Sequence, residues 1–563
     1  MASPSACSFA PRFIDALVDD VGSSPTKYVV VAAVSAAVLL IRWALTPSVD
    51  SREPPVMKPT IPIIGHIINM LTQQGEFHVN FFLSQTRQKH SKAHPMPIAT
   101  LPLANKKLYL ITSPAIMASA MRSKNLTFEP FELEFGQAVA GVTHAEFQVI
   151  PGLLHPFVKS MSAAMVGDHL HRMNASALQY IGAQLNAIDA GRPLEVENLY
   201  LWVRDLVTMA TTEALYGEHN PWREGRGIEK QDIWDFDDGM MLIVTKLFPA
   251  LFARKALAGR RRIQKALGAY YAAKHDLSPD TAKVVQNRAA ILREHGVAGA
   301  LMGKFEIGLP HVAVMNTAPT LFWLIAQLAS RPDLLTRLRA SLAPLITAST
   351  TPSPSCGRTI TISLSTLETT APLLVACHRE SLRHISAQVV MRRVIADTVV
   401  TDGAGASYLL TAGADVHMAG SVTHNLPSLW SWSGSTTTSA AGAVDVMGAF
   451  VPDLFLEAEA EAKDGGGDES ARKMRRAGYV PFGGGKHLCP GRNFAFAEIV
   501  GLMVALVVGY DITDGDGAVP ALPRAAKVEL AHGIRVPERE GAGTRVEIGR
   551  RAGWEDVEWV FVA

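Results

Sequence analysis

The sequence predicts a mainly α-helical domain with a small β-sheet, preceded by a single N-terminal transmembrane helix. Three observations predict it. The run "YVVVAAVSAAVLLIRWAL" at residues 28–45 is almost wholly apolar. From Phe77 onward most segments space their apolar residues at helical intervals, as in "LWVRDLVTMATTEALYG" and "RPDLLTRLRASLAPLI". Short pieces such as "KLYLIT" and "VVMRRVIADTVV" read as strands.

Residues 1–27 precede the apolar run and are long and acidic for the start of a cleaved signal peptide, the competing reading. The run at 28–45 is just long enough to span a bilayer if Arg42 snorkels and Trp43 sits at the interface. Arg42, Arg52 and Lys58 follow it, so the positive-inside rule puts the rest of the chain in the cytosol. Residues 46–65 hold Pro54, Pro55, Pro59 and Pro62 and read as a stiff stalk. Residues 66–563 form the main domain. Its 53 basic and 52 acidic side chains, counted over the whole chain, propose no nucleic acid partner. Four scattered cysteines, Cys7, Cys356, Cys377 and Cys489, make neither a disulfide framework nor a zinc site.

Two stretches, "TASTTPSPSCGRTITIS" from Thr347 and "SWSGSTTTSAAGAV" from Ser431, read as surface insertions, and "EAEAEAKDGGGDESARKMRR" as a solvated loop. "GMMLIVTKLFPALFARKAL" from Gly239 reads either as a membrane-dipping segment or as a core helix with a surface turn.

Near the end stands "PFGGGKHLCPGRNFAFAEIV". Pro490 and Gly491 follow Cys489, and a helical run begins at once, so the sulfur sits at or just before a helix N-terminus, where free N–H groups favour a thiolate. Gly483, Gly484 and Gly485 permit a tight loop. Such a cysteine is a metal ligand or a nucleophile. Phe482, an aromatic to cover a ring, and His487, a basic side chain to meet a carboxylate, favour a haem ligand over a nucleophile.

At Phe482, Gly485, His487, Cys489 and Gly491 the stretch resembles the ligand loop of the cytochrome P-450 family. About a hundred residues upstream, "CHRESLRH" places Glu380 and Arg383 on one helix face and resembles the family's Glu-x-x-Arg motif in the right order. The resemblance implies the cytochrome P-450 fold from roughly Pro59 to the C-terminus, a haem b held by the Cys489 thiolate, and a scaffold made by Glu380 and Arg383. Arg392 in "VMRRV" becomes the candidate for a propionate ion pair, with Arg393 as rival. Two departures stand out. Leu454 in "FVPDLFL" occupies the place of the family's arginine, and the usual tryptophan and arginine are not evident in "HPFVKSMSAAMVGDHLHRM".

"LPHVAVMNTAPTLFWLIAQLASRPDLL" reads as a long apolar helix opened or kinked by Pro319. Where most family members carry an acid followed by threonine, this chain has Asn316, Thr317, Ala318, Pro319 and Thr320. The pattern resembles the branch of bile-acid sterol hydroxylases and prostacyclin synthase. Asn316 and Thr320 either orient water and oxygen or merely satisfy backbone groups freed by Pro319.

The expected function is a haem-dependent monooxygenase that oxidises a lipophilic substrate such as a sterol or terpenoid. It would use O₂ and electrons from NADPH through NADPH-cytochrome reductase, with cytochrome b5 as a further partner. The expected location is the endoplasmic reticulum membrane, single-pass, with a cytosolic catalytic domain. A haem-thiolate isomerase or dehydratase acting on a peroxide is the alternative. A non-catalytic haem or lipid-binding membrane protein is the second, motivated by Leu454 and the missing tryptophan and arginine. Asn125 and Asn174 stand in Asn-x-Ser/Thr patterns that this topology leaves unglycosylated.

Overall fold

The computed structural model describes residues 48–562 apart from 58–64, 74–75, 89–95, 104–105, 247, 354–356, 431–448, 464–467, 527–532 and 539–544, together with residues 29, 30 and 33. The anchor, Pro59 and Pro62 of the stalk, and the stretch from Ser431 lie wholly or largely outside the described residues.

β-Branched and apolar residues build the principal sheet. The "KLYLIT" strand forms as Lys106–Ile111 and pairs antiparallel with Ile98–Leu103. Asp415–Ala419 joins Lys106–Ile111 in parallel, Val389–Val394 joins Asp415–Ala419 antiparallel, and Leu126–Thr127 completes five strands. Side chains alternate across a strand, so Val390, Arg392 and Val394 share the buried face and Arg393 points the other way. The period of two thus separates the two candidate arginines.

The remainder is mainly helical. Thr317–Ala329 is buried on nearly all sides and packs on Leu199–Tyr216, Pro372–Ile385 and Arg492–Gly509. Residues Gly299–Ala329 and helix Arg492–Gly509 are apolar and long enough to cross a membrane, yet 83% and 78% of their apolar windows are buried. Helices that are apolar all round and enclosed in this way are core helices.

Two expectations are corrected. The stretch from Thr347 is no loose insertion: it continues helix Pro332–Ser349, then forms strand Thr350–Ser353 and strand Gly357–Ser363, which pairs with Val557–Val562. Alternation in "RTITIS" buries Ile360 and Ile362, and that apolar face outweighs the polar composition. The acidic-to-basic stretch is likewise not a loop but helices Asp453–Lys463 and Glu469–Gly478. Ala, Glu, Lys and Arg are strong helix formers, and Asp468 caps the second helix by accepting from Ser470 N–H at 2.8 Å. The segment from Gly239 forms short helices Met240–Val244 and Pro249–Phe252 before the long helix Arg254–Ala272.

Asn174 is 6% exposed within helix Gly167–Asn186, so burial alone bars a glycan there. Only Asn125 can report topology through glycosylation.

Glu498 on helix Arg492–Gly509 is enclosed. Its Oε1 accepts from the Thr211 hydroxyl at 2.9 Å, while Oε2 has no partner among the described residues. Burial pushes this carboxyl up to about 8. The folded chain therefore keeps a proton that the unfolded chain releases above its ordinary carboxyl pKa, and stability falls as pH rises from about 4.5 toward 8. Glu498→Gln should raise Tm at pH 8 by about 1–3 °C while giving no gain at pH 5. Calorimetry at the two pH values checks this, and an equal shift at both would contradict it.

Candidate active site

The loop Val480–Cys489 folds back on itself: Gly483 N–H donates to Val480 O at 3.0 Å and Cys489 N–H to Phe482 O at 3.1 Å. Gly485 has φ +64°, and a Cβ there would stand 2.7 Å from Met121 O. The loop thus lies directly on helix Pro114–Arg122, a contact only glycine allows. Helix Arg492–Gly509 begins three residues after Cys489, and the Gly491 and Arg492 N–H groups point at the sulfur. Burial raises the thiol, while these two amides and the Arg492 guanidinium oppose that rise. Both amides and the guanidinium thus favour the thiolate form against burial.

Glu380 and Arg383 sit on one face of helix Pro372–Ile385, both fully buried. They bond twice, at 2.7 and 2.8 Å. Arg383 also donates to His424 O at 3.0 Å and Ala449 O at 3.4 Å, and Glu380 accepts from Val451 N–H at 2.8 Å. Trp430 lies 5.7 Å from the guanidinium. Main-chain groups and an aromatic ring therefore complete the pair. Leu454 instead fills an apolar cluster with Ala376, Leu429, Trp430 and Phe455. The stretch "HPFVKSMSAAMVGDHLHRM" runs through helices Ile150–Ala164 and Gly167–Asn186, and its arginine, Arg172, bonds His169 at the surface.

The two arginines of "VMRRV" have different partners. Arg393 pairs with Asp415 at 2.8 Å and Glu134 at 2.7 Å. Arg392 is 4% exposed and donates only to the main chain, to Met391 O at 2.7 Å and to Gly484 O in the cysteine loop at 2.8 Å. Burial pushes the Arg392 guanidinium down to about 10. An enclosed cation without a bonded carboxylate, beside a loop that presents a sulfur, fits a haem whose iron meets Cys489 and whose propionate meets Arg392. His487 Nε2 accepts from Phe128 N–H at 3.2 Å, leaving Nδ1 to carry the proton. Burial, with Arg392 and Lys486 nearby, lowers His487 to about 4, so it is a neutral donor rather than the expected cation.

The long apolar helix is interrupted. Gly308–Val314 ends before a turn at Met315–Asn316, and Thr317–Ala329 follows with Pro319 in its first turn. Thr317 and Thr320 turn their hydroxyls back on Ala313 O at 3.0 Å and Asn316 O at 2.7 Å. Thr320 is thereby engaged by its own helix. Asn316 Oδ1 is enclosed and has no partner among the described residues, and Val312, one turn earlier, is 60% exposed on an otherwise buried segment. That face opens onto space.

Sequence reasoning missed Gln388, Gly533 and Glu132. A Cβ on Gly533 would lie 2.6 Å from Gln388 Oε1 and 3.4 Å from Asn316 Oδ1, so three distant segments converge there. No local pattern announces that convergence.

The cytochrome P450 family model matches residues 313–435. A cytochrome P450 monooxygenase of Gibberella zeae is 34% identical over 96% of this chain and 97% of its own length. The cytochrome P450 monooxygenase nodJ of Hypoxylon pulicicidum is 27% identical over 95% and 96%. The 7-alpha-hydroxycholest-4-en-3-one 12-alpha-hydroxylase of Homo sapiens is 22% identical over 87% and 92%. This chain belongs to the cytochrome P450 family of haem-thiolate monooxygenases.

Three substitutions test the site. Arg392→Ala should lower the haem-to-protein ratio of the purified protein, whereas Arg393→Ala, whose charge is spent on Asp415 and Glu134, should leave it near wild type. Leu454→Ala should cost about 2–4 kcal/mol in denaturant unfolding through the cavity it leaves, without moving the Soret band. A shifted Soret band would mean that Leu454 acts on the haem rather than on packing.

Proposed function

We propose that this enzyme inserts oxygen into an unactivated carbon of a lipophilic substrate such as a sterol or terpenoid, taking electrons from NADPH through NADPH-cytochrome reductase. The observation that carries the reading is Cys489, held ahead of a helix with two amides on its sulfur, beside the buried Arg392, which bonds only main-chain carbonyls among the described residues. Cys489 would hold the iron, while Arg392 and His487 would hold the propionates. A bound haem would supply dioxygen chemistry there, to which the Cys489 thiolate would lend electron density.

The chain's own residues do the rest. Glu380 and Arg383 fix the segments that carry the cysteine loop. Asn316 offers an enclosed acceptor at the helix break, where it can orient a water or a substrate donor. Thr320 keeps the break in shape by binding Asn316 O.

The apolar run at residues 28–45, proposed as a single span in the endoplasmic reticulum membrane, would suit a lipophilic substrate. So would Phe248, Leu251 and Phe252, which are 72%, 57% and 65% exposed beside Lys246, Arg254 and Lys255. Its relatives named as 7-alpha-hydroxycholest-4-en-3-one 12-alpha-hydroxylases point the same way.

Arg122, Lys124, Lys473, Arg476 and Lys486 are exposed on helices and loops packed around the cysteine loop. This cationic face suits an acidic electron donor such as the reductase or cytochrome b5.

The absence of a carboxylate among Asn316–Thr320 favours one further reading, an isomerase or dehydratase that rearranges a peroxide without a reductase. NADPH and O₂ consumption coupled to a hydroxylated product, in membranes with reductase, is the expected result. Product from a hydroperoxide or endoperoxide with no reductase present would replace the monooxygenase reading. Lys473→Glu with Arg476→Glu should reduce NADPH-supported turnover several-fold at low salt and leave haem content intact.

A further inference from the structure

Arg392 and Glu132 sit on facing elements, each within the other's electrostatic field. Helix Glu129–Ala140 lies on strand Val389–Val394 and on the cysteine loop: Phe131 sits 4.7 Å from the Arg393 guanidinium, Glu134 bonds Arg393 at 2.7 Å, and Phe128 N–H bonds His487 at 3.2 Å. Glu132 falls among these contacts. It is half-buried, and its Oε2 is enclosed without a partner among the described residues. Its charged neighbours are Arg392 on the strand, Lys486 on the cysteine loop and Glu129 on its own helix. His487 adds a neutral ring on the loop side.

A buried guanidinium and an enclosed carboxyl in each other's field ordinarily close into an ion pair, because each is costly alone. These two do not. Arg392 stays on main-chain carbonyls, and Glu132 leaves an oxygen idle. A third group that bonds to both would explain both facts, and the propionate assigned to Arg392 fits that role.

We propose that Glu132 is a cofactor-positioning residue that, as the carboxylic acid, donates its O–H to the propionate bound by Arg392. Haem binding then takes up one proton from solvent whenever Glu132 is ionised beforehand. Burial and Glu129 already raise this carboxyl above the usual range, while Arg392 and Lys486 oppose the rise. A propionate would neutralise the pull of Arg392 and add repulsion of its own, so both changes favour the acid form. No bond other than O–H is made or broken.

The inference rests on the reading of Arg392, and one experiment separates the two. Haem loss from the full-length holoenzyme to excess apomyoglobin is followed by the Soret band at pH 6, 7 and 8, for wild type, Glu132→Gln, Glu132→Ala and Arg392→Ala. Wild type should lose haem about tenfold faster at pH 8 than at pH 6, one pKa unit's worth of linkage. Glu132→Gln, which keeps a donor at every pH, should lose haem slowly without that slope. Glu132→Ala, which has none, should be fast throughout. If Glu132→Gln retains the wild-type slope, or both Glu132 variants match wild type while Arg392→Ala is loosened, the role of Glu132 falls and that of Arg392 stands. Wild-type retention in Arg392→Ala would remove both.

Discussion

The rest of the site depends on a fully buried ion pair. Arg383 and Glu380 are both enclosed, and such a pair repays its desolvation only when every remaining donor and acceptor is met. Here the demand reaches across the chain. Arg383 takes the carbonyls of His424 and Ala449, and Glu380 takes the Val451 amide. The His424 ring then accepts from Val480 N–H at 2.9 Å, at the first residue of the cysteine loop. Burial and the adjacent Arg383 keep His424 neutral by lowering it to about 3, which leaves Nε2 free to accept. A continuous hydrogen-bond path thus runs from the helix Pro372–Ile385 to the backbone that presents Cys489.

This path explains why Leu454 is tolerated where the resemblance leads one to expect arginine. Backbone groups at 424, 449 and 451 bond the pair, Asn425 Oδ1 stands 3.5 Å from Arg383, and Trp430 covers the guanidinium. The apolar cluster around Trp430, Phe455 and Leu454 closes the same region by packing instead. The departure therefore gives no ground for reading the protein as non-catalytic.

Local chemistry was legible in the sequence. Gly485, Cys489 and the helix behind them are neighbours in the chain, so spacing alone placed the sulfur at a helix start. Glu380 and Arg383 are three apart on a helix, and strand alternation in "VVMRRV" already contained the distinction between Arg392 and Arg393. The side-chain state of His487 was not legible, because Phe128, 359 residues away, decides its tautomer. Glu132 and Gln388 were invisible for the same reason: their importance arises where distant segments meet. Composition misled at the stretches from Thr347 and Glu457. There, alternating isoleucines and strong helix formers outweighed a polar, charged appearance.

The central claim is that Cys489 binds a haem iron as a thiolate. The reduced, carbon-monoxide-bound difference spectrum of the membrane-expressed protein, taken beside Cys489→Ser, addresses it most directly. A strongly red-shifted Soret band in the wild type that vanishes in the mutant is the predicted result. A wild-type band that survives Cys489→Ser, or folded protein that carries haem without the red-shifted band, would contradict it.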